Sequence, residues 1–209
     1  RYPLVLINGE IFIRCHEIAN QDSAKLLEKY KIEVMLEPMT GWLSYVNTYN
    51  VRKNWKRSEY GKLKKNIINK LYMGYVEKRL FAPFKGLLKG REFHNPYHFI
   101  DIAQNDLVYS EAISGESPIS IGQAYALVNN KIHIDGIYHV GPLGCMQETV
   151  ATSRIQSIIQ EKRKNAKDEK DRIIPFMDAV FAESELANLD SLVALFAKNC
   201  YSRRELSKN

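Results

Sequence analysis

The sequence predicts an α/β fold: a Rossmann-like parallel sheet of about four strands with a helical insertion. Three observations predict it. Short β-branched runs recur at both ends of the chain, "LVLINGEIFI" at 4–13, "IEVMLEP" at 32–38, "GIYHVGP" at 136–142 and "IIPFMDAV" at 173–180. Helix-period segments separate them, the pattern of βαβ units. Between the second and third strands, residues of about 40–110 turn helical, basic and aromatic.

The elements follow in order. Residues 4–13 are almost continuously apolar, as suits a strand covered on both faces. "ANQDSAKLLEKY" reads as a helix, with Asn20 as the N-cap, Asp22 in the first turn and Ala24, Leu26 and Leu27 on its buried stripe. A second strand ends at Pro38. In the insertion, "GKLKKNIINKLYMGYVEKRL" spaces Leu63, Ile67, Leu71 and Tyr75 as one amphipathic face, expected to pack on the α/β core. "FAPFKGLLKGREFHNPYHF" is broken by Pro83, Gly86, Gly90 and Pro96. Alternation returns at 117–130, where Ser117 can cap a helix with Pro118 at its first position. The third strand, a helix at 147–164, the charged tether "EKRKNAKDEKDR", the fourth strand and a helix at 185–199 complete the chain. Residues 1–209 are read as one α/β domain and, since the first residue is Arg1, as part of a longer protein.

The chain holds 209 residues, 45% apolar and 26% charged, with a formal charge of +6. No apolar run approaches the ~18–20 residues that cross a bilayer, so no membrane partner is expected. Cys15, Cys145 and Cys200 form neither a CxxC nor a disulfide pattern, which suits a reducing cytoplasm. The stretch 52–70 carries Arg52, Lys53, Lys56, Arg57, Lys62, Lys64, Lys65 and Lys70 against Glu59. It is a solvated helix face or a surface for an anionic partner such as a CoA phosphate. No nucleic-acid motif accompanies it, which argues against DNA or RNA.

Function in an open parallel sheet gathers at the carboxyl ends of the strands. Those ends are "GEIFIRCHEIAN", "LEPMTGW", "VGPLGCMQE" and "MDAVFAES". At the first, Glu10, Arg14 and Asn20 either fix the turn into the helix or touch a cofactor. A Cys15–His16 nucleophile pair is poorly placed, because neighbours on a strand face opposite ways. GxGxxG and GxxxxGK[ST] are both missing, so the usual nucleotide signatures do not apply. At the third end Cys145 sits between a strand and a helix start, where a thiolate is favoured. A half-buried structural cysteine is the alternative. Histidines 94, 98, 133 and 139 follow no metal-ligand spacing. No catalytic residue is identified by spacing.

The segments "LVLINGEIFIRCHEIANQD", "GIYHVGPLGCMQETVATSRI" and "IIPFMDAVFAESELANLDSLVALF" together resemble the 2-hydroxyacyl-CoA dehydratase superfamily. They look most like the C-terminal dehydratase-like region of the large CoA-substrate-specific enzyme activases. The resemblance covers the α/β segments at both ends; the central helices match only in position and character. It implies a module of an anaerobic, cytoplasmic system, not catalytic alone, that supplies part of an Fe–S cleft. Cys145 would be a ligand of a [4Fe–4S] cluster in the full-length protein, with no cluster in residues 1–209 alone. Other domains of the same chain and a dehydratase component are the implied partners. The family's turn runs Gly-Cys-Met-Pro; here Gln147 replaces the proline. The alternative is a degenerate dehydratase-like scaffold without a cluster, docking a partner through the basic helices.

Overall fold

The computed structural model describes residues 2–88, 96–105, 115–184 and 186–207. Contacts divide the chain into two compact units, Arg1–Glu37 with Phe99–Asn209, and Pro38–His98.

The first unit is the α/β body. Its strands are β1 (Leu4–Gly9), β2 (Glu33–Leu36), β3 (Gly136–Pro142) and β4 (Phe176–Phe181). They form one parallel sheet in the order β2-β1-β3-β4. The helices are α1 (Ile11–Cys15), α2 (Ser23–Lys29), α6 (Ser117–Val128), α7 (Met146–Lys164), α8 (Glu169–Arg172) and α9 (Leu189–Leu206), while α5 (Pro96–Asn105) bridges the boundary between the units. This is the Rossmann-like parallel architecture that the β-α alternation predicts.

Strand alternation sorts the apolar residues into two cores. Val5 and Ile7 of β1 join Tyr138, Val140, Ala179 and Phe181 against Leu27 of α2 and Val193, Phe196 and Ala197 of α9. Leu4 and Leu6 point the other way, with Ile137, against Ile121, Ala124 and Leu127 of α6 and Ala151, Ile155, Ile158 and Ile159 of α7. Both faces of β1 and β3 are thus buried, which is why their sequences are continuously apolar. Arg203 of α9 is buried and ties its helix to two stretches of chain, 127–130 and 170–173. Its guanidinium donates to the carbonyls of Lys170, Ile173 and Leu127 and to Asn130 Oδ1.

Several boundaries differ from the sequence reading. The strand predicted over 4–13 stops at Gly9, and residues 11–15 form a helical turn. Glu10 ends the strand: its carboxylate accepts from the backbone N–H groups of Phe12 and Ile13, which makes it the N-cap. Asn20 is not the cap of α2; that position is Asp22, in the left-handed conformation. Helix α6 begins at Ser117 itself, with Glu116 as N-cap and no side-chain capping bond. The charged tether is partly ordered helix, since α7 runs to Lys164 and α8 adds one turn at Glu169–Arg172. The last helix begins at Leu189 instead of 185 and extends to Leu206.

The second unit holds α3 (Met39–Lys56), α4 (Tyr60–Phe81) and a 3-10 turn at Ala82–Phe84. The predicted helical character of the insertion holds over these segments; residues 89–95 and 106–114 lie outside the described residues. Tyr45 is buried, stacked on Tyr49 and Tyr97, and the Arg52 guanidinium lies 4.0 Å above the Tyr97 ring. The amphipathic face predicted for α4 is not covered. Leu63 is buried, but Ile67, Leu71 and Tyr75 are exposed. A 3.6-residue period shows that a face exists and leaves open what packs on it. Among the described residues no helix is long and apolar enough to cross a membrane.

Candidate functional site

β1 leads to β2 on one side while β3 flanks it on the other. The β1/β3 pair is therefore the topological switch point, and its carboxyl edge is where an open parallel sheet binds ligands. The strands meet closely there. Gly9 has φ +108°, and a Cβ at this position would collide with the Val140 carbonyl.

The first βα turn is filled by carboxylates. Glu10 occupies the N–H groups of Phe12 and Ile13, and Glu116 Oε2 accepts from Ile11 N at 3.1 Å. In nucleotide-binding α/β folds these backbone donors hold a phosphate. Here the chain's own anions take them, in keeping with the missing glycine-rich signatures. Burial, reinforced by the charges of Glu10 and Glu148, pushes the Glu116 carboxyl up to about 7.

Arg14 and Asn20, read from the sequence as turn-fixing or ligand-touching, both lie buried in this turn. Arg14 donates to the carbonyls of Gly9 and Glu37 and pairs with the Glu37 carboxylate at 3.6 Å. Asn20 Nδ2 donates to the carbonyls of Ile13 and Arg14, and its Oδ1 accepts from Ser23 N. These bonds lock the path from β1 to α2. Cys15 is exposed at the end of α1, and the neighbouring His16 accepts from Ala19 N through Nδ1.

Beneath the edge runs a buried polar line that periodicity did not reveal. Gln123 Nε2 donates to Glu37 Oε1 at 3.0 Å, Asn8 Nδ2 donates to Gln123 Oε1 at 2.8 Å, and His139 Nδ1 meets Asn8 Oδ1 at 3.0 Å. A carboxylate only accepts, so Glu37 fixes the orientation of each amide in turn. His139 Nδ1 must then carry the hydrogen. Its Nε2 lies 2.8 Å from Glu148 Oε2, close but without hydrogen-bond alignment. Burial pushes the Glu37 carboxyl above its ordinary value, while Arg14 and Gln123 pull it back. Asp178, opposite His139 in the β3–β4 register, is also raised by burial. The sequence signal for this line was weak: single polar residues inside apolar runs, at Asn8, Gln123 and His139.

Cys145 stands at the same edge. It follows β3 through Gly144, whose φ is +83°, and forms the N-cap of the 19-residue α7. Its side chain makes no capping bond, and it is half-buried. Leu143 and Met146 on either side are exposed, as is Phe12 on α1. Cys200 is buried in the sheet core, where burial pushes its thiol far up. The fold therefore brings Glu10, Glu116, Glu148, His139 and Cys145 to one edge and leaves Cys200 away from it. Among the described residues no group of three or more His, Cys, Asp or Glu is arranged to hold a metal ion. Comparisons with protein-family models, with curated proteins and with solved structures found no match for this chain.

Proposed function

We propose that this chain is a module of an activase-related protein of the 2-hydroxyacyl-CoA dehydratase system, not catalytic alone, whose β3–α7 turn lends Cys145 to an iron–sulfur cleft. The observation that carries the reading is the state of Cys145. Its thiol sits at the carboxyl edge of the switch-point strand, on the N-terminus of a long helix, and is not consumed in capping. Iron–sulfur clusters are held by cysteine sulfur, and this thiol is not committed to a capping bond. A [4Fe–4S] cluster takes about four such ligands, so the fit is to one ligand of a shared site. The remaining thiolates would come from other domains or from a dehydratase component. A reducing cytoplasm is the compartment in which this chemistry persists.

The test uses the full-length protein, reconstituted without oxygen with iron and sulfide. Cys145→Ala should lower iron content and the EPR signal of the reduced cluster, whereas Cys200→Ala should leave both in place. Unchanged iron stoichiometry in Cys145→Ala would make the cysteine a packing residue. The second reading, a dehydratase-like scaffold without a cluster that docks through its basic helices, is favoured by the uncovered face of α4.

A further inference from the structure

Helix α4 is unusual for a helix of a folded unit. Ile67, Ile68, Leu71, Tyr72 and Tyr75 lie within about 140° of the helix circumference at 100° per residue, and all five are exposed, Leu71 by 69% and Tyr72 by 64%. Leu80 in the last turn of the helix, and Phe84 and Leu87 beyond it, continue the exposed apolar series. Isolated exposed apolar residues need no explanation, but a contiguous stripe of five marks an interaction surface.

The charge around the stripe is one-sided. Residues 52–85 contain eleven Lys and Arg and only Glu59 and Glu77 as acids, while the whole chain carries a net +6. The remainder of the chain is therefore net negative, and the positive charge is concentrated on this segment. Lys64 and Lys65 precede the stripe, and Lys78 and Arg79 follow it.

We propose that this face of α4 is a peripheral docking surface for an anionic lipid bilayer. Three alternatives fit less well. A second copy of the chain would set Lys64 and Lys65 against Lys78 and Arg79 in an antiparallel pairing, or against themselves in a parallel one. A protein partner is disfavoured because interface cores are depleted in lysine, and here lysines interleave with the apolar side chains. Single-stranded nucleic acid takes aromatic platforms for its bases, whereas the middle of this stripe is Ile67, Ile68 and Leu71. Lipid accepts all the components together. Aliphatic side chains enter the acyl boundary, Tyr72 and Tyr75 sit at the headgroup level, and long lysine stems reach back to anionic headgroups. No spanning segment is needed, and the anionic cytoplasmic leaflet supplies the charge. This proposal stands independently of any cluster at Cys145.

The experiment is vesicle co-sedimentation of the full chain. One set of vesicles is phosphatidylcholine alone; the other adds a minor share of phosphatidylglycerol. The chain should pellet with the anionic vesicles and stay in solution with the neutral ones, and added salt should weaken binding. Leu71→Ser with Tyr75→Ser leaves the charge unchanged and should weaken binding at least ~10-fold. Lys64→Glu with Lys65→Glu should remove the preference for anionic vesicles. All four side chains are exposed, and far-UV circular dichroism checks that helicity is kept. A second readout uses Tyr72→Trp, whose added fluorescence should shift to the blue and be quenched by brominated lipid.

Failure to pellet with anionic vesicles overturns the proposal. So does serine-pair binding equal to wild type, which would reduce the effect to net charge. No fluorescence shift in Tyr72→Trp overturns insertion even if a serine variant misfolds. A short single-stranded RNA that displaces the vesicles and loses affinity in the serine pair would assign the face to nucleic acid instead.

Discussion

Nε2 of His139 lies 2.8 Å from Oε2 of Glu148, with both side chains buried beneath the carboxyl edge of β3. Asn8 Oδ1 on the other side of the ring requires the Nδ1 hydrogen. The two groups are close but not aligned as a hydrogen bond, so the contact is one of proximity and charge. The buried line from Glu37 through Gln123 and Asn8 thus ends at His139, beside Glu148, at the switch point.

Glu148→Gln should be tolerated, with stability within about 1 kcal/mol of wild type, because the amide keeps the side chain's shape and its N–H can donate to His139 Nε2. His139→Leu should cost on the order of 3 kcal/mol, since it leaves Asn8 Oδ1 and the Glu148 carboxylate buried without their partner. Urea unfolding of both variants makes the comparison. A Leu variant as stable as wild type would show that the line contributes nothing to the fold.

Glu116 should make stability depend on pH. Its folded-state value of about 7 lies above the ordinary 4.5. An acid whose value is raised by folding binds its proton more tightly in the folded state. Its ionisation penalty is nil below about pH 4.5, grows through the interval up to about 7 and is full above it. Glu116 is half-buried, and solvent screening limits the penalty to about 1 kcal/mol. Glu116→Gln should be more stable than wild type at pH 8 and equal to it at pH 4. Equal stability at both values would place the carboxyl in an ordinary environment.

The three thiols should separate by reactivity. Cys15 is exposed and Cys145 half-buried, while Cys200 has no exposed surface and its thiol is pushed up by burial. An aromatic disulfide reagent should titrate two thiols in the native protein and the third only on unfolding. Cys145→Ala should remove one of the two accessible thiols, and Cys200→Ala neither.

Arg203 should behave as a structural clamp. Removing its guanidinium in Arg203→Met leaves four acceptors without their donors, those on Lys170, Ile173, Leu127 and Asn130. A loss on the order of 3 kcal/mol is expected in denaturant unfolding. Gly9→Ala should also be destabilising, because the new Cβ meets the Val140 backbone. A neutral result for the alanine variant would mean that β1 and β3 can separate at their carboxyl ends at no cost.

The amino-acid sequence by itself determined the α/β class, the four strands and their order along the chain. Fully buried strands must be continuously apolar, and the runs at 4–9 and 136–142 have that character. It also determined that Cys145 would follow a strand and precede a helix, because the glycines and proline of "GPLGC" separate a strand-like run from a helix-like one. The concentration of positive charge on 52–70 was equally plain, since charge is counted without knowing contacts.

Tertiary structure decided the rest. Residues 11–15 are strand-like in composition, yet Glu10 captures two backbone N–H groups and turns the chain into a helix. Glu116 reaches the same turn from 105 residues away. Asn8, Gln123, Glu37 and His139 are isolated polar residues in four separate segments, and only the sheet and the packing of α6 bring them into one hydrogen-bonded line. The face of α4 shows the same division. Its period was legible, but burial depends on what a neighbouring element covers, and that is a property of the fold and not of the helix.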